Sequence, residues 1–241
     1  MFDSYKDRLR KMEAKLAYLT DMQREQLALV QLQKLLPDDY YAALSSWSIA
    51  PYEVLHICNE IDMAPRRSVV EFGTGFSTIC MGVLLSRQDS GAQLIAVEND
   101  ETWYRSMLQK VEQLGLADWV KLVHAPLTDT DGMAANGHER WYDKKVLEPV
   151  LRESAPIDLV VVDGPFGQSA PYARKPAIPF LKNFLADDFA IFLDDYQRAQ
   201  EKEIAAAWSQ ELGVKVKDFR RYAMLSTPGS FDSEPFAYPE F

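Results

Sequence analysis

Cysteines, basic charge and long apolar runs are all scarce in this chain. Its 241 residues include two cysteines, Cys58 and Cys80, whose spacing and apolar neighbours predict buried reduced thiols rather than a zinc site or a disulfide framework. No apolar run approaches the roughly 20 residues that cross a bilayer, and the charged amino terminus is unlike a secretory signal. The formal net charge of −10 argues against a nucleic-acid partner, because phosphates require a basic face. These absences predict a cytoplasmic protein without membrane or nucleic-acid partners, in which short basic clusters such as Arg66–Arg67 and Arg220–Arg221 are solvated.

Glycine and proline are also absent from residues 3–36, which consist largely of strong helix formers. Gln23 and Gln26 interrupt the apolar pattern of this segment, so a continuous coiled coil is not secured. The segment is predicted to form an amphipathic helix that either packs on its own domain or mediates a homodimer. Its apolar residues recur at alternating spacings of three and four, at Leu9, Met12, Leu16 and Leu19.

Strands and helices alternate along the rest of the chain. Two short helices are predicted within residues 38–64, where Pro51 marks a helix start. The later alternation predicts βαβ units around a mostly parallel sheet. The predicted strands are 68–72, 93–97, 120–123, 158–162, 189–193, 214–219 and 222–226, of which the last two form an antiparallel pair at one edge. The predicted helices are 78–86, 101–114, 144–152, 177–185 and 200–212, and residues 227–241 are predicted to lie irregularly on the surface.

The most informative segment is residues 68–78, where an apolar strand carrying Glu71 leads through a Gly-x-Gly turn into a helix. Gly73 and Gly75 allow positive φ and a close approach of a ligand, and the helix start offers unpaired N–H groups. Such a turn binds nucleotide-like cofactors at the carboxyl edge of a parallel sheet. Thr78 replaces the third glycine of the dinucleotide motif, and Glu71 would repel a pyrophosphate. A ligand with a cationic end, such as S-adenosylmethionine, is therefore favoured.

Two further strand ends carry candidate cofactor contacts. Glu98 ends the second strand, where ribose hydroxyls bind in this architecture. Asn99 or Asp100 is the expected cap of the helix that follows. His124 and Ala125 follow the third strand, beside the expected position of adenine. His124 is also a candidate acid or base, because its unperturbed pKa is near neutrality, although a single histidine at a strand end is more often structural.

Acidic residues follow the fourth and fifth strands. An apolar strand brings Asp163 to the carboxyl edge, where it would face both cofactor and substrate. The fifth strand ends at Asp194 and Asp195, and three carboxylates in one place repel unless positive charge intervenes. Either Arg174 and Arg198 neutralise them, or a divalent cation such as Mg²⁺ does. The arginine-paired arrangement is slightly favoured.

Aromatic residues lie in the long connections around the fourth strand. Trp141 and Tyr142 precede it, and Tyr172 and Arg174 follow it. Loops over a sheet edge commonly carry substrate contacts, whereas tryptophan and tyrosine equally cover cores. Arg174 is a candidate for gripping a carboxylate or orienting a hydroxyl group.

Taken together, these segments resemble class I S-adenosylmethionine-dependent methyltransferases, and most closely a bacterial subgroup with the same segments in the same order. The resemblance extends from about Trp47 to Trp208. It implies a Rossmann-like three-layer sandwich with a seven-stranded, mostly parallel sheet and an antiparallel last strand. The segments are Val70–Thr78, Val97–Trp103, His124–Leu127, Trp141–Asp143, Val161–Ala177 and Leu193–Glu201.

The resemblance also implies a division of the chain and a set of site residues. Residues 1–64 would be an N-terminal helical extension or lid, and residues 65–241 the S-adenosylmethionine-binding methyltransferase domain. The predicted cofactor contacts are Glu71, Phe72, Gly73, Thr74, Gly75, Ser77, Thr78, Glu98, Asn99, Ala125 and Asp163. The catalytic candidates are Asp163, His124, Arg174 and Asp195, the substrate-binding candidates Trp141, Tyr142, Arg174 and Arg198, and the metal candidates Asp163, Asp194 and Asp195.

The implied activity is direct in-line transfer of the sulfonium methyl group, here predicted to an oxygen of a small polar or carbohydrate-like acceptor. Related metal-dependent O-methyltransferases have Asp–Asn where this chain has Asp194–Asp195, which leaves the use of Mg²⁺ open. Three alternatives remain at this point: an N-methyltransferase acting on a small amine or a protein side chain, a non-catalytic cofactor-binding scaffold, and a nicotinamide-dependent oxidoreductase.

Overall fold

A seven-stranded sheet organises the chain, for which a computed structural model describes residues 2–64, 66–130, 140–167, 169–229 and 231–236. In spatial order the strands are β3 (Val120–His124), β2 (Gln93–Glu98), β1 (Ser68–Phe72), β6 (Ile157–Val162), β7 (Leu185–Leu193), β9 (Ala223–Ser226) and β8 (Lys215–Asp218). The first five strands are mutually parallel, and β9 is antiparallel to both of its neighbours. The order reverses between β1 and β6, so their carboxyl ends open a crevice suited to a ligand.

Helices cover both faces of the sheet, which explains why its central strands are almost continuously apolar. One core joins α2 and α3 to one face, and a second core joins α5, α6 and α7 to the other. No described helix is both long enough and apolar enough to cross a membrane. The helices are α1 (Phe2–Leu35), α2 (Pro51–Met63), α3 (Phe76–Gln88), α4 (Glu101–Gln113), α5 (Lys144–Ser154), α6 (Ala177–Leu181) and α7 (Ala199–Leu212).

The predicted three-layer fold is confirmed, including its antiparallel last strand, and most predicted elements lie within a few residues of their observed bounds. Residues 38–64 are an exception, because they form one helix, α2, rather than two. A short hairpin of β4 (Leu127–Asp129) and β5 (Arg140–Tyr142) was not predicted. Both cysteines are free and buried, as expected.

The two halves of the long helix α1 differ in how far their apolar side chains are exposed to solvent. Ala28 and Leu32 are buried against the domain, whereas Met12 and Leu16 are 60% and 62% exposed. The second half therefore packs on the chain's own core, as one of the two alternatives predicted. The first half leaves its apolar side uncovered, and the homodimer stays a prediction, as does the domain boundary at residue 64.

The carboxyl-terminal segment is irregular, as predicted, and Pro228, Gly229, Phe231 and Asp232 are exposed, whereas Ser233 and Pro235 are buried. Ser233 is 2% exposed and contacts Glu60 and His56 of α2. Its hydroxyl donates to Glu60 Oε2 at 2.5 Å and lies 3.1 Å from His56 Nε2, while His56 Nδ1 lies 2.6 Å from the Tyr222 hydroxyl. Burial lowers the pKa of His56 to about 3, so the imidazole is neutral. Residues 230 and 237–241 lie outside the described part.

Arg66 is also buried, contrary to the prediction of a solvated cluster. Its side chain is 2% exposed and donates to Glu60 Oε1 through Nε and Nη2, at 3.1 and 2.8 Å. Its Nη1 donates to the Asp188 carbonyl at 3.1 Å. The Arg66 side chain thereby connects Glu60 of α2 to Asp188 of β7.

We expect Arg66→Met to lower the free energy of unfolding by about 3–5 kcal/mol, because Glu60 would remain buried without its cation. Arg67→Met is the matched control, since Arg67 is exposed, and should cost no more than about 0.5 kcal/mol. Urea titrations followed by circular dichroism measure both. Equal losses in the two variants would contradict the stabilising role of the buried pair.

Candidate functional site

The turn after β1 is fixed by a close contact between two backbones. Gly73 has φ of +92°, and a Cβ there would lie 3.0 Å from the Gly164 nitrogen. Its N–H donates to the Val97 carbonyl at 2.9 Å, and the Phe72 carbonyl accepts from the N–H groups of Asp163 and Gly164. The turns after β1 and β6 are therefore packed directly on each other, and Gly73 satisfies both the positive φ and the close approach.

Glu71 stabilises this turn through hydrogen bonds to the start of α3. It is completely buried, and its two oxygens accept hydrogen bonds from the hydroxyl groups of Ser77 and Thr78. The Thr78 hydroxyl oxygen also accepts from the Gly75 N–H at 2.9 Å, which caps α3. Burial raises the pKa of Glu71 to about 7, opposed by the two hydroxyl groups. A direct contact of Glu71 with a cofactor stays a prediction, because its oxygens are engaged within the loop.

Gly75 has a different environment from Gly73. Its φ of 177° is extended backbone, and a Cβ built on it would meet no atom of the described residues within 4 Å. Neither the backbone conformation nor the packing of this chain therefore accounts for a glycine at position 75. The surface above it, at the start of α3, is open to a ligand that approaches the backbone closely.

Glu98 lies on the other side of the turn, at the end of β2. Its Oε1 accepts from the N–H groups of Asn99 and Asp100 at 2.7 and 2.8 Å, and its Oε2 accepts from the Thr74 hydroxyl at 2.9 Å. The Trp103 indole N–H donates to the Thr74 carbonyl at 2.8 Å. The structure thus brings Glu98 to the same turn as Gly73 and Gly75, at the carboxyl edge of neighbouring strands.

Three carboxylates meet where β6 and β7 end, and Asp163, Asp194 and Asp195 together are called the carboxylate cluster. One oxygen of each lies within 4.8 Å of the others. Arg174, buried beside them, donates from Nη2 to Asp163 Oδ1 and Asp195 Oδ2, both at 3.0 Å, and from Nη1 to the Asp194 carbonyl at 2.8 Å. The arginine-paired arrangement is therefore present in the structure.

Electrostatics within the carboxylate cluster favour the protonated form of Asp163. Burial and the neighbouring Asp194 carboxyl hold the pKa of Asp163 well above its usual range, with Arg174 opposing. Arg198 Nη1 lies 2.7 Å from Asp195 Oδ2 and is 44% exposed, so it forms the outer side of the cluster. Asp163 keeps 21% of its side chain exposed, which leaves it accessible to a substrate.

Two residues next to the carboxylate cluster were missed by the sequence analysis. Arg221, predicted to be solvated, lies with Nε 3.5 Å from Asp194 Oδ1 and donates from Nη2 to the Ser48 carbonyl at 3.2 Å. Glu53 is completely buried in the first turn of α2, and burial and Asp194 raise its pKa. An acidic residue beside Pro51 was a sign of a helix start, but no local pattern indicated its proximity to β7.

An exposed aromatic pair lies near the same edge. Trp47 and Phe166 are 69% and 43% exposed, and their ring centroids are 4.7 Å apart. Phe166 follows the Asp163–Pro165 turn, and Trp47 precedes the Ser48 carbonyl that Arg221 binds. This pair forms an apolar rim that the sequence analysis did not identify, because the two residues are far apart in the chain.

His124 lies apart from the carboxylate cluster. It ends β3, and β2 and β1 separate that strand from β6. At about 4.8 Å per strand, this places His124 roughly 14 Å along the sheet from Asp163. Its Nε2 lies 3.2 Å from the Asn99 carbonyl. His124 is therefore separated from Asp163 by two strands, and its catalytic role stays a prediction.

Trp141 and Tyr142 are buried in the structure, and their predicted substrate contacts stay a prediction. Both are 1% exposed, and their rings pack against Phe72 with centroids 5.2 and 5.4 Å away. Because they lie in β5, beneath the turn that carries Gly164, they are core residues. Phe72 and Ala125 are buried as well, so they are available to a cofactor only through neighbouring backbone.

Comparisons with known proteins agree with this geometry. A family model described as a methyltransferase domain matches residues 70–196, or 127 of the 241 residues. A search of curated protein sequences finds no match.

Solved structures with the same fold include three methyltransferases of low sequence identity. An SAH-bound methyltransferase from Podospora anserina, PaMTH1, has a TM-score of 0.53 at 12% identity, covering 84% of this chain and 86% of its own. An O-methyltransferase from Bacillus cereus in complex with SAH has a TM-score of 0.53 at 13% identity, covering 88% and 96%. The O-methyltransferase TomG from Streptomyces achromogenes, in complex with SAM, has a TM-score of 0.50 at 16% identity, covering 83% and 88%.

The family match includes the Gly73–Gly75 turn, Glu98 and the carboxylate cluster, whereas Trp47, Glu53, Arg198 and Arg221 lie outside the matched range. It confirms the resemblance inferred from the sequence and the enzyme class that the resemblance implied. The chain belongs to the methyltransferase-domain family.

Proposed function

We propose that this protein transfers the methyl group of S-adenosylmethionine to an oxygen atom of a small polar acceptor. The observation that carries the proposal is the open surface at Gly75. A Cβ would have space at this position, but the residue is a glycine and has no Cβ. Such a cradle fits a cofactor that lies against the backbone at the start of α3. The neighbours crystallised with SAH or SAM, two of them named O-methyltransferases, support the same cofactor and reaction.

Two groups on either side of this cradle fit different parts of the cofactor. Glu98, at the end of β2, is proposed to accept hydrogen bonds from the ribose hydroxyl groups. Thr74 holds its Oε2, so the carboxylate is oriented before any ligand binds. Asp163, across the Gly73–Gly164 contact, is proposed to lie near the methyl donor. Glu71 contributes indirectly, by holding Ser77 and Thr78.

When bound, S-adenosylmethionine supplies a methyl group whose bond to sulfur breaks as the acceptor oxygen bonds to its carbon, with the electron pair remaining on sulfur. The protein's part is to align the acceptor and to take its proton. Asp163 is proposed to receive this proton in its ionised form: the raised pKa lowers the share of that form but makes each ionised carboxylate a stronger base. Arg174 holds that carboxylate in place through Nη2. Arg198 and the rim of Trp47 and Phe166 are proposed to contact the acceptor.

The charge of the carboxylate cluster bears on the use of a metal. Its oxygens are close enough to hold a hard cation such as Mg²⁺. Arg174 already bridges two of its three members, and Arg221 lies beside the third. We therefore propose that the arginines supply the positive charge during catalysis.

Gly75→Ala tests the cradle. We expect its melting temperature to remain within a few degrees of wild type, because the added Cβ meets no atom within 4 Å among the residues that the structure describes. Its affinity for S-adenosylhomocysteine should fall by about tenfold or more, equivalent to about 1.4 kcal/mol. Gly73→Ala is the control and should lose stability as well, through its positive φ and the Gly164 contact. Calorimetry showing full affinity of Gly75→Ala would contradict the cradle.

Glu71 is expected to make the stability of the cofactor-free protein depend on pH. Its pKa rises from 4.5 when unfolded to about 7 when folded, so the neutral form stabilises the fold below about pH 4.5 and this contribution is lost as the pH rises through 7. Relative to Glu71→Gln, the wild-type free energy of unfolding should fall by up to about 3 kcal/mol between about pH 4 and pH 8. Urea titrations across this range measure the difference. Glu112→Gln, at an exposed position, should show no such trend; a trend of opposite sign for Glu71 would contradict its burial as an acid.

Arg174→Met is expected to reduce methyl transfer by at least about a hundredfold, because Asp163 would lose its partner and its orientation. Saturating EDTA should leave the wild-type rate unchanged if arginine supplies the charge. Both are measured as S-adenosylhomocysteine release with an active acceptor. A rate that is abolished by EDTA and restored by Mg²⁺ would show that a metal is required instead.

A further inference from the structure

A cavity of about 350 Å³ lies between α1, α2 and the turn that joins β8 to β9. We refer to it as the chamber. Its volume falls within the range of about 300–1,000 Å³ that is typical of small-molecule sites. Its walls include Glu25 of α1, Tyr52 and Glu53 of α2, and residues 219–222 of the turn.

The chamber adjoins the carboxylate cluster. Ala223, the first residue of β9, pairs with Leu193, the last residue of β7. The turn that precedes Ala223 therefore lies beside Asp194, which follows Leu193. Arg221, which lines the chamber, contacts Asp194 through Nε. Glu53 also has Asp194 as its polar neighbour. A molecule in the chamber would consequently be next to Asp194 at the carboxyl end of β7.

Glu53 lacks a hydrogen-bond donor in this wall. It is completely buried, and neither of its oxygens accepts a hydrogen bond from a donor group in the part of the chain that the structure describes. Its polar neighbour, Asp194, is itself an acid, and the two carboxyl groups can share a hydrogen bond only through a proton. A buried polar group without a donor is costly, so it requires an explanation. A ligand that brings a donor into the chamber provides one.

Other polar groups around the chamber have partners within the protein. The Tyr52 N–H donates to Glu25 Oε2 at 2.8 Å, and the Tyr52 hydroxyl donates to the Pro235 carbonyl at 2.5 Å. Arg220 Nη1 lies 3.1 Å from both oxygens of Asp21. Glu53 thus differs from Tyr52, Glu25 and Arg220, each of which has a hydrogen-bond or ion-pair partner within the protein.

The composition of the walls indicates the charge of the guest. Five carboxylates and three arginines line the chamber, and Arg221 is additionally engaged with Asp194. This acidic excess favours a cation over an anion. Aromatic rings form much of the remaining wall and favour a cation as well, through their negative faces. They are Tyr18, Tyr52, Phe219 and Tyr222.

We propose that the chamber is the acceptor pocket, and that the acceptor is a small hydroxylated amine whose ammonium group binds Glu53 while a hydroxyl group faces Asp163. This inference rests on the proposed function, since it names the acceptor class of the same site. A protonated amine has no free electron pair, so its binding to Glu53 directs transfer to oxygen rather than to nitrogen.

Three sugars that share one ring and differ in charge test the proposal: glucosamine, glucose and glucuronate. Each is titrated calorimetrically into wild-type protein, with and without saturating S-adenosylhomocysteine. The variants are Glu53→Gln, which removes the charge and keeps the shape, and Glu148→Gln, which removes a carboxylate at an exposed position of α5. Glu53→Leu replaces Glu53→Gln if the latter does not fold.

Glucosamine should bind wild type at least about tenfold more tightly than glucose does, and glucuronate more weakly than either. The preference for glucosamine should disappear in Glu53→Gln and persist in Glu148→Gln, with the affinity for S-adenosylhomocysteine unchanged in both. Equal binding of the three sugars, binding of none, or a preference that survives in Glu53→Gln would overturn the acceptor assignment.

Failure of wild type to bind S-adenosylhomocysteine would instead contradict the proposed function. In this case the titrations without S-adenosylhomocysteine still measure sugar binding to the chamber, because the walls of the chamber are formed by the protein alone. The two failures are therefore distinguishable.

Discussion

The contact between Gly73 and Gly164 determines where the two halves of the site lie relative to each other. A Cβ on Gly73 would lie 3.0 Å from the Gly164 nitrogen, and one on Gly164 would lie 2.9 Å from the Gly73 nitrogen. Because β1 and β6 pair directly, the turn that forms the cradle and the turn that presents Asp163 are packed backbone against backbone. The spacing between the proposed cofactor site and the carboxylate cluster is thus a property of the sheet, which flexible side chains do not alter.

Concentrated acidic charge is the second constraint on this edge of the sheet. The carboxylate cluster and Glu53 bring four acidic side chains together near the carboxyl ends of β6 and β7. Their mutual repulsion is reduced by three arginines that come from different parts of the chain: Arg174, Arg198 and Arg221. The four acids outnumber the three arginines by one. Burial and the neighbouring Asp194 raise the pKa of Asp163 and of Glu53, which favours the protonated form of both. A site with this balance takes up a proton or a cation.

Features that depend on neighbouring residues were accessible from the sequence. The apolar run into Glu71 and the glycine turn located β1, and the run into Asp163 located β6, because strand patterns and turn residues act locally. Residues 38–50 were predicted to contain a helix and do not, since a few helix-forming residues do not suffice to nucleate one without tertiary contacts. Trp141 was assigned to a substrate loop, whereas its ring fills the core beside Phe72. Exposure of an aromatic residue is decided by packing, and aromatic content alone does not reveal it.

The sequence by itself determined the alternation of strands and helices, the cradle at Gly73–Gly75, and the strand ends that carry Glu98 and Asp163. The tertiary structure alone decided which charged groups meet. Arg221 and Glu53 reach Asp194 only because β9 lies antiparallel beside β7 and α2 covers its end. The physical reason is range: dihedral preferences and side-chain periodicity act over a few residues, whereas ion pairing and burial depend on segments that are distant in the chain and adjacent in the fold.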